Sequence, residues 1–335
     1  MPVLDTANYD AVIDVRSPAE FTEDHIPGAI NLPVLSNDER AEIGTLYTQI
    51  SRFEARRRGA ALVSANIARH LDGPLAYKPA KFRPLVYCWR GGMRSNSFAH
   101  VLRQVGWPAE VVEGGYRTYR RAVAARLYDE ALPFQPVLID GNTGTAKTEI
   151  LKSYGGLKLD LEGLANHRGS VFGAQGAQPS QKMFESRLAD AMEGLTGPVL
   201  VEAESNKIGE LLIPPSLWKA MQTAPRIMID APLDARADFL MRAYGDISED
   251  RAALVEILRR LKPLQGKDQV AAWEEMVAAG EIKPLARDLL ERHYDPAYRR
   301  SRGEPVVAET VRMVNLNPSE VARAASEIAE IIADL

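Results

Sequence analysis

A chain of 335 residues, 46% hydrophobic and 26% charged, has the composition of an ordinary globular protein and the length for two domains with separate cores. Its one cysteine, Cys88, excludes an internal disulfide and a cysteine-built zinc site, and no apolar run is long enough to span a bilayer. The net charge of -4 is uneven: residues 1–50 carry 2 Lys/Arg against 9 Asp/Glu, whereas residues 51–126 carry 15 against 4, a local net of +11 suited to a polyanionic partner.

Residues 1–5 lack a basic stretch followed by an apolar one, so a cytoplasmic location without membrane attachment is expected. Strands are predicted over 11–15, 29–32, 85–88 and 109–112, with helices over 54–71 and 95–105 between them. Strands alternating with helices imply a parallel sheet covered on both faces. The stretch 129–136 breaks this rhythm, because Pro133 and Pro136 resist helix continuation, and is expected to link a domain over 1–128 to one over 137–335. A strand over 137–140 then runs into a glycine-rich turn, with later strands over 198–202 and 226–230. From about 233 to 335 the pattern is helical, over 249–262, 268–279, 284–293 and 318–334. The expected fold class is α/β in both domains.

Tyr87-Cys88-Trp89-Arg90-Gly91-Gly92-Met93-Arg94-Ser95 places the cysteine at a strand end, with glycines and arginines before a helix. Such a loop aims backbone N–H groups at the sulfur, and the helix N-terminus with Arg90 and Arg94 adds positive potential. These effects favour thiolate and make a cradle of Arg90, Gly91, Gly92 and Arg94 for a tetrahedral anion, with Cys88 the nucleophile.

The second loop, Gly141-Asn142-Thr143-Gly144-Thr145-Ala146-Lys147-Thr148, follows a strand and opens a helix, the context of a phosphate-binding P-loop. Its N–H groups and Lys147 suit phosphates, and the Thr148 hydroxyl suits Mg²⁺. Ala146 stands where the motif has glycine, which lets the backbone approach phosphate closely or take positive φ, so phosphate binding is expected ahead of nucleotide hydrolysis. Glu202 and Glu204, ending a strand, are the leading carboxylates to complete the site, with Thr148 and Glu202 as the Mg²⁺ ligands and Asp230 a further candidate.

The first domain resembles the rhodanese family through Val12-Ile13-Asp14-Val15-Arg16, Asp24-His25-Ile26-Pro27-Gly28-Ala29, the Cys88 loop and Val112-Glu113-Gly114-Gly115-Tyr116. In that pattern His25, Asp14 and Arg16 belong to the scaffold. Five residues separate Cys88 from Arg94, one more than in the simplest rhodaneses, a spacing that matches Cys-x5-Arg phosphatases and suits a phosphate-sized anion.

Across nearly its full length the chain resembles the tRNA 2-selenouridine synthase family. The likeness rests on the two domains in series, on residues 161–170 and 202–205, on His293-Tyr294-Asp295-Pro296-Ala297-Tyr298 and on 39–45. It implies a rhodanese-like domain followed by a P-loop NTPase-like domain with a helical C-terminal region. It also implies S-geranylation of the wobble 2-thiouridine in tRNAs for Lys, Glu and Gln with geranyl diphosphate, then replacement of S-geranyl by selenium from selenophosphate. No tightly bound cofactor is implied, Mg²⁺ is the metal candidate, and an enzyme supplying selenophosphate is a candidate partner. His167 and Arg168 become active-site candidates. Arg56, Arg57, Arg58, Arg117, Arg120 and Arg121 are candidates to grip tRNA. The alternative is a rhodanese-type sulfurtransferase or a phosphatase with a regulatory P-loop. A non-catalytic tRNA- or nucleotide-binding adaptor is a third reading, against which the intact Cys88 loop argues.

Overall fold

The computed structural model describes residues 3–167, 176–243, 250–302 and 307–335. The chain divides into two units, Met1–Ala131 with Pro179–Gly194, and Leu132–Gln178 with Leu195–Leu335. Among the described residues, no helix is long and apolar enough to cross a membrane.

In the first unit the elements run β1 (Ala11–Asp14), α1 (Pro18–Glu23), β2 (Ile30–Asn31), α2 (Asn37–Thr45), α3 (Arg52–Asp72), β3 (Pro84–Tyr87), α4 (Met93–Val105), β4 (Glu110–Val111) and α5 (Gly115–Ala124). The strands pair in parallel in the order β2-β1-β3-β4, with Ile13 opposite Val86 and Val86 opposite Val111. Ile13, Val15 and Val86 meet Phe98, Ala99 and Leu102 from the apolar stripe of α4 in one buried core. Helix α2 was not expected. It starts from a reciprocal cap in which Ser36 Oγ accepts the Glu39 N–H (3.1 Å) and Glu39 accepts the Ser36 N–H (2.8 Å).

Arg16 is the buried polar centre of this unit. Its guanidinium donates to Asp14 (2.6 Å) and to the Asp24 carbonyl (2.6 Å), and stacks 3.9 Å from the Tyr116 ring. The Tyr116 hydroxyl in turn donates to Asp24 (2.6 Å). The ends of β1 and α1 and the start of α5 are thereby tied together beneath the cysteine strand. His25 stacks on Phe21 (3.8 Å) and bonds the Phe21 carbonyl through Nδ1 (2.8 Å), a scaffold position.

The remaining elements begin with β5 (Phe134–Gly141), α6 (Lys147–Ser153), β6 (Lys158–Leu159) and α7 (Leu161–Ala165). Helix α8 (Gln181–Ala191) belongs to the first unit. After it come β7 (Gly197–Glu202), the antiparallel pair β8 (Lys207–Ile208) and β9 (Leu211–Leu212), α9 (Pro215–Thr223) and β10 (Arg226–Asp230). The C-terminal part holds α10 (Leu233–Ala243), α11 (Arg251–Arg259), α12 (Lys262–Gln265), α13 (Lys267–Ala279), α14 (Ile282–Leu289), α15 (Asp295–Arg302), β11 (Val307–Arg312) and α16 (Pro318–Ala333). The five-stranded sheet is parallel, ordered β11-β10-β5-β7-β6.

Two features depart from the sequence reading. Strand β5 starts at Phe134, inside the stretch expected to be linker. Pro136 is accommodated because its missing N–H lies on the β10 side, where the first bond, Leu138 N–H to the Pro225 carbonyl (2.9 Å), comes two residues later. The region expected to be wholly helical also contains β11, an edge strand in which Val311 is buried while its first three residues are exposed. So little burial leaves too weak an alternation to read.

Replacing Arg16 with Met strips the buried Asp14 carboxylate of its counter-charge. The expected loss is about 3–5 kcal/mol, seen as a lowered urea midpoint for the first unit, and a midpoint within experimental scatter of wild type contradicts the central role given to this pair.

Candidate functional site

Cys88 sits directly after β3, buried, with the chain turning sharply over it. Two glycines allow the turn. Gly91 has φ +64, and a Cβ there would lie 2.8 Å from the Val112 carbonyl oxygen; Gly115 has φ +61, and a Cβ would lie 2.3 Å from the Cys88 carbonyl oxygen. The N–H groups of Arg90, Gly92 and Ser95 turn toward the sulfur, and Ser95 Oγ lies 3.2 Å from Sγ. Burial pushes the thiol pKa up, but these hydrogen bonds outweigh it and hold Cys88 below the ordinary thiol value. The side chain of Arg90 is exposed. Arg94, expected in the cradle, instead donates to Glu20 (2.9 Å) with its side chain 22% exposed, and the same carboxylate oxygen accepts from Arg40 (2.9 Å). Ser95 was missed as a functional candidate, although its place after the arginine of a Cys-x5-Arg loop was the available signal.

The second loop joins β5 to α6. Ala146 has φ +60, the left-handed conformation that costs a residue with a Cβ about 1–2 kcal/mol. Gly141 cannot carry a Cβ, which would meet Thr145 Oγ1 at 2.7 Å and the Ile229 carbonyl at 2.9 Å. Gly144, with φ +82, packs against α10, where a Cβ would come 3.2 Å from both the Arg236 carbonyl oxygen and Leu240. Lys147 Nζ donates to the Gly141 carbonyl (2.8 Å) and lies 5.6 Å from the Tyr298 ring centre. Burial favours the neutral amine, but Tyr298, Glu204, Glu162 and Asp140 outweigh it and keep the Lys147 pKa above the ordinary lysine value.

A cleft of about 270 Å³ opens over this loop, lined by Thr143 to Thr148 together with Phe239, Leu240 and Ala243 of α10 and Tyr298. His167 and Glu162 also line it. The apolar wall was not foreseen, because its residues lie about ninety positions beyond the loop. Buried Arg236 holds the arrangement: it donates to the Thr143 carbonyl (2.9 Å) and makes a two-point pair with Asp295 (2.9 and 2.6 Å).

Thr148 Oγ1 donates to Glu162 (2.9 Å), and Glu202 accepts the Glu162 N–H (3.1 Å). Glu202 is buried, and its other oxygen has no hydrogen-bond partner among the described residues. Burial, with Glu162 and Asp160 nearby, pushes its pKa up to about 8. Burial and Glu162 likewise raise Glu204 well above the ordinary value against the pull of Lys147. Burial lowers the pKa of His167, leaving a neutral imidazole near pH 7 although Glu162 opposes the shift. Asp230 ends β10 exposed, neither it nor Glu202 nor Glu204 is among the cleft-lining residues, and Arg168 lies outside the described residues. Among the described residues, no three His, Cys, Asp or Glu side chains are grouped to hold a metal ion.

The arginine candidates separate by environment. Arg56, Arg57, Arg58 and Arg121 are exposed. Arg117 is half-buried with an unpartnered Nε, and Arg120 is committed to the buried carboxylate of Glu185, which also accepts from Tyr128 (2.7 Å) and Gln181 (3.0 Å).

Ser95→Ala removes a hydrogen bond to the sulfur, so alkylation of Cys88 by iodoacetamide is expected to switch on at higher pH than in wild type. An unshifted pH profile removes Ser95 from the site. For Glu202 the folded pKa of about 8 lies above the ordinary 4.5, so the folded state keeps a proton that the unfolded chain releases. Stability therefore falls as pH rises through that window, by at most about 1.4 kcal/mol per pH unit. Glu202→Gln should flatten this slope, gaining on wild type in thermal midpoint between about pH 5 and pH 8. Parallel curves contradict the protonated carboxyl.

The rhodanese-like domain family matches residues 3–122, and the tRNA 2-selenouridine synthase AAA domain family matches residues 134–260. The chain is 39% identical over 238 residues to the tRNA 2-selenouridine synthase of Chromohalobacter salexigens, covering 70% of this chain and 65% of that protein, just under two thirds of its length. The match to the Nitrosomonas europaea protein of the same name covers 63% of it at 35% identity. Against the Bdellovibrio bacteriovorus tRNA 2-selenouridine synthase the identity is 31% over 332 residues, 86% of this chain and 87% of that protein. The chain belongs to the tRNA 2-selenouridine synthase family.

Proposed function

We propose that the chain converts the wobble 2-thiouridine of tRNAs for Lys, Glu and Gln into 2-selenouridine in two steps, S-geranylation at the glycine-rich loop and selenation at Cys88. The observation that carries the reading is the cleft lined by Lys147 and Thr148 together with Phe239, Leu240 and Ala243. A phosphate cradle against an apolar wall suits a diphosphate bearing a hydrocarbon chain.

In the first step Lys147 and the loop N–H groups hold the diphosphate while the thiocarbonyl sulfur attacks C1 of the geranyl group. The C1–O bond breaks, and diphosphate leaves with its charge neutralised. The N3 proton of the base passes to the neutral imidazole of His167, which lines the same cleft. Thr148, which lines the cleft, and buried Glu202, once deprotonated, would hold Mg²⁺, and the ion would neutralise the diphosphate further.

In the second step selenophosphate occupies the Cys88 loop. The thiolate attacks phosphorus, the P–Se bond breaks, and hydrogen selenide anion leaves without an external proton donor. The selenide attacks C2 of the geranylated base, the C2–S bond breaks, geranyl thiolate leaves, and the selenide proton returns to N3. Water then cleaves the S–P bond, giving phosphate and restoring the thiolate. Selenium stays at the selenide level throughout, so no reductant is required. An enzyme supplying selenophosphate is the implied partner, and the cytoplasm the implied location. The five-residue spacing also favours a plain phosphatase, a reading that requires turnover of simple phosphate esters without tRNA.

Mass spectrometry of nucleosides from 2-thiouridine-containing tRNA decides between them. Geranyl diphosphate alone should give the geranylated base, and added selenophosphate the selenated one. Lys147→Ala should lose the first conversion and Cys88→Ser only the second. With selenophosphate and no tRNA, the Cys88 peptide should gain the mass of a phosphoryl group; a selenium adduct there overturns the attack at phosphorus. An unchanged 2-thiouridine peak with folded, tRNA-bound protein overturns the whole reading.

A further inference from the structure

The junction of α2 and α3 in the first unit carries a surface that neither site uses. The last turn after α2, Leu46–Ile50, is widened, and Ser51 breaks away in extended conformation (φ -157) before capping α3 through its Oγ, which accepts the Glu54 N–H (3.3 Å). This corner turns three large apolar side chains to solvent within seven residues, Tyr47 at 43%, Ile50 at 71% and Phe53 at 70% exposure. Single exposed apolar residues are ordinary, but a cluster marks a contact surface.

Its setting is basic. Residues 47–58 contain four arginines and one glutamate. Arg52 lies over the Tyr47 ring (5.5 Å), and Arg56 and Arg57 follow Phe53 by three and four residues, on the same helical face. Arg57 pairs with Glu54 (2.7 Å) and Arg58 with Glu42 (2.9 Å), both solvent-exposed pairs of little net strength, whereas Arg56 pairs with no carboxylate among the described residues. An apolar protein partner would have to desolvate the charges of Arg52 and Arg56 here. A polyanion with exposed aromatic faces meets complementary charge and stacking surface together.

We infer that Tyr47, Ile50 and Phe53, flanked by Arg52 and Arg56, form a docking platform for unpaired nucleotides of an RNA stem–loop. Bases splayed from a loop stack on the rings while the arginines contact the flanking phosphates, and a paired helix keeps its bases stacked internally and cannot use the platform. The inference rests on the RNA substrate of the proposed reaction, and it assigns to that substrate a place of contact on the first unit.

The test is fluorescence anisotropy of the full chain with two probes, a labelled RNA stem–loop with an unpaired loop and a fully paired RNA duplex of equal length. The double variant Ile50→Ala, Phe53→Ala should bind the stem–loop about 5- to 100-fold more weakly, with duplex affinity unchanged. Phe53→Tyr, which keeps the ring, should retain wild-type affinity. Arg52→Ala and Arg56→Ala should each reduce the salt dependence of stem–loop binding by about 0.7 in the slope of log K against log salt. A double variant with the wild-type thermal midpoint and undiminished stem–loop binding overturns the platform. Loss of self-association in place of RNA binding, seen by sedimentation, overturns it in favour of a second copy of the chain. Wild-type protein that binds the stem–loop through these residues yet leaves 2-thiouridine unaltered upholds the platform and removes the proposed reaction. Failure of wild type to bind either RNA removes both.

Discussion

Both loops hold their shape because a second segment of backbone presses on them where no Cβ intervenes. Gly115 brings the start of α5 against the Cys88 carbonyl, and Gly91 brings the loop itself against Val112. In the second unit Gly141 lies against Ile229 of β10, and Gly144 against α10. Converging N–H groups repel one another and do not stay converged without an external brace. A side chain at Gly91, Gly115 or Gly141 would collide with its brace, and one at Gly144 would displace α10 by a few tenths of an ångström, so the geometry of each loop is bound to the packing of elements distant in sequence.

The second unit adds a charged brace. Arg236 reaches from α10 to the Thr143 carbonyl and is itself pinned by Asp295 at the start of α15. Breaking one partner of such a buried pair is costly, which makes it a device for fixing geometry more than for adding stability. It also gives the segment His293 to Tyr298 a physical purpose: Asp295 anchors the loop through Arg236, and Tyr298 stands over Lys147. The helical C-terminal region thus forms one wall of the cleft.

What was legible in the sequence was local. The strand–loop–helix order around Cys88 and around Gly141 to Thr148 depends on residues within about a dozen positions, and both segments adopt it. Of the two reasons for glycine at position 146, close approach to phosphate or positive φ, the second is the conformation Ala146 adopts. Illegible were the contacts made by long side chains across the fold. Arg94 finds Glu20, 74 residues away, and Arg120 finds Glu185, 65 residues away, and no pattern along the chain foretells either. The wall of Phe239 and Leu240 was hidden because its apolar residues serve helix packing and cleft lining at once, and periodicity registers only the first. Pro136 misled because proline argues against a strand in general, whereas here its missing donor faces the side where pairing has not begun.

The pairing of Arg94 with Glu20 bears on which ligands the Cys88 loop admits. Glu20 is held below the usual carboxylate range: burial raises it, but Arg94 and Arg40 more than compensate, so it is a firm anionic competitor inside the loop's own neighbourhood. A ligand drawing Arg94 toward the sulfur must offer more negative charge than the single carboxylate it replaces, while Arg40 stays behind to keep Glu20 neutralised. Doubly charged tetrahedral anions meet that condition better than singly charged ones. If the Cys88 loop holds the anion proposed for it, the ion pair would set a threshold on ligand charge, a selectivity that comes from exchange between partners and not from the size of the cavity.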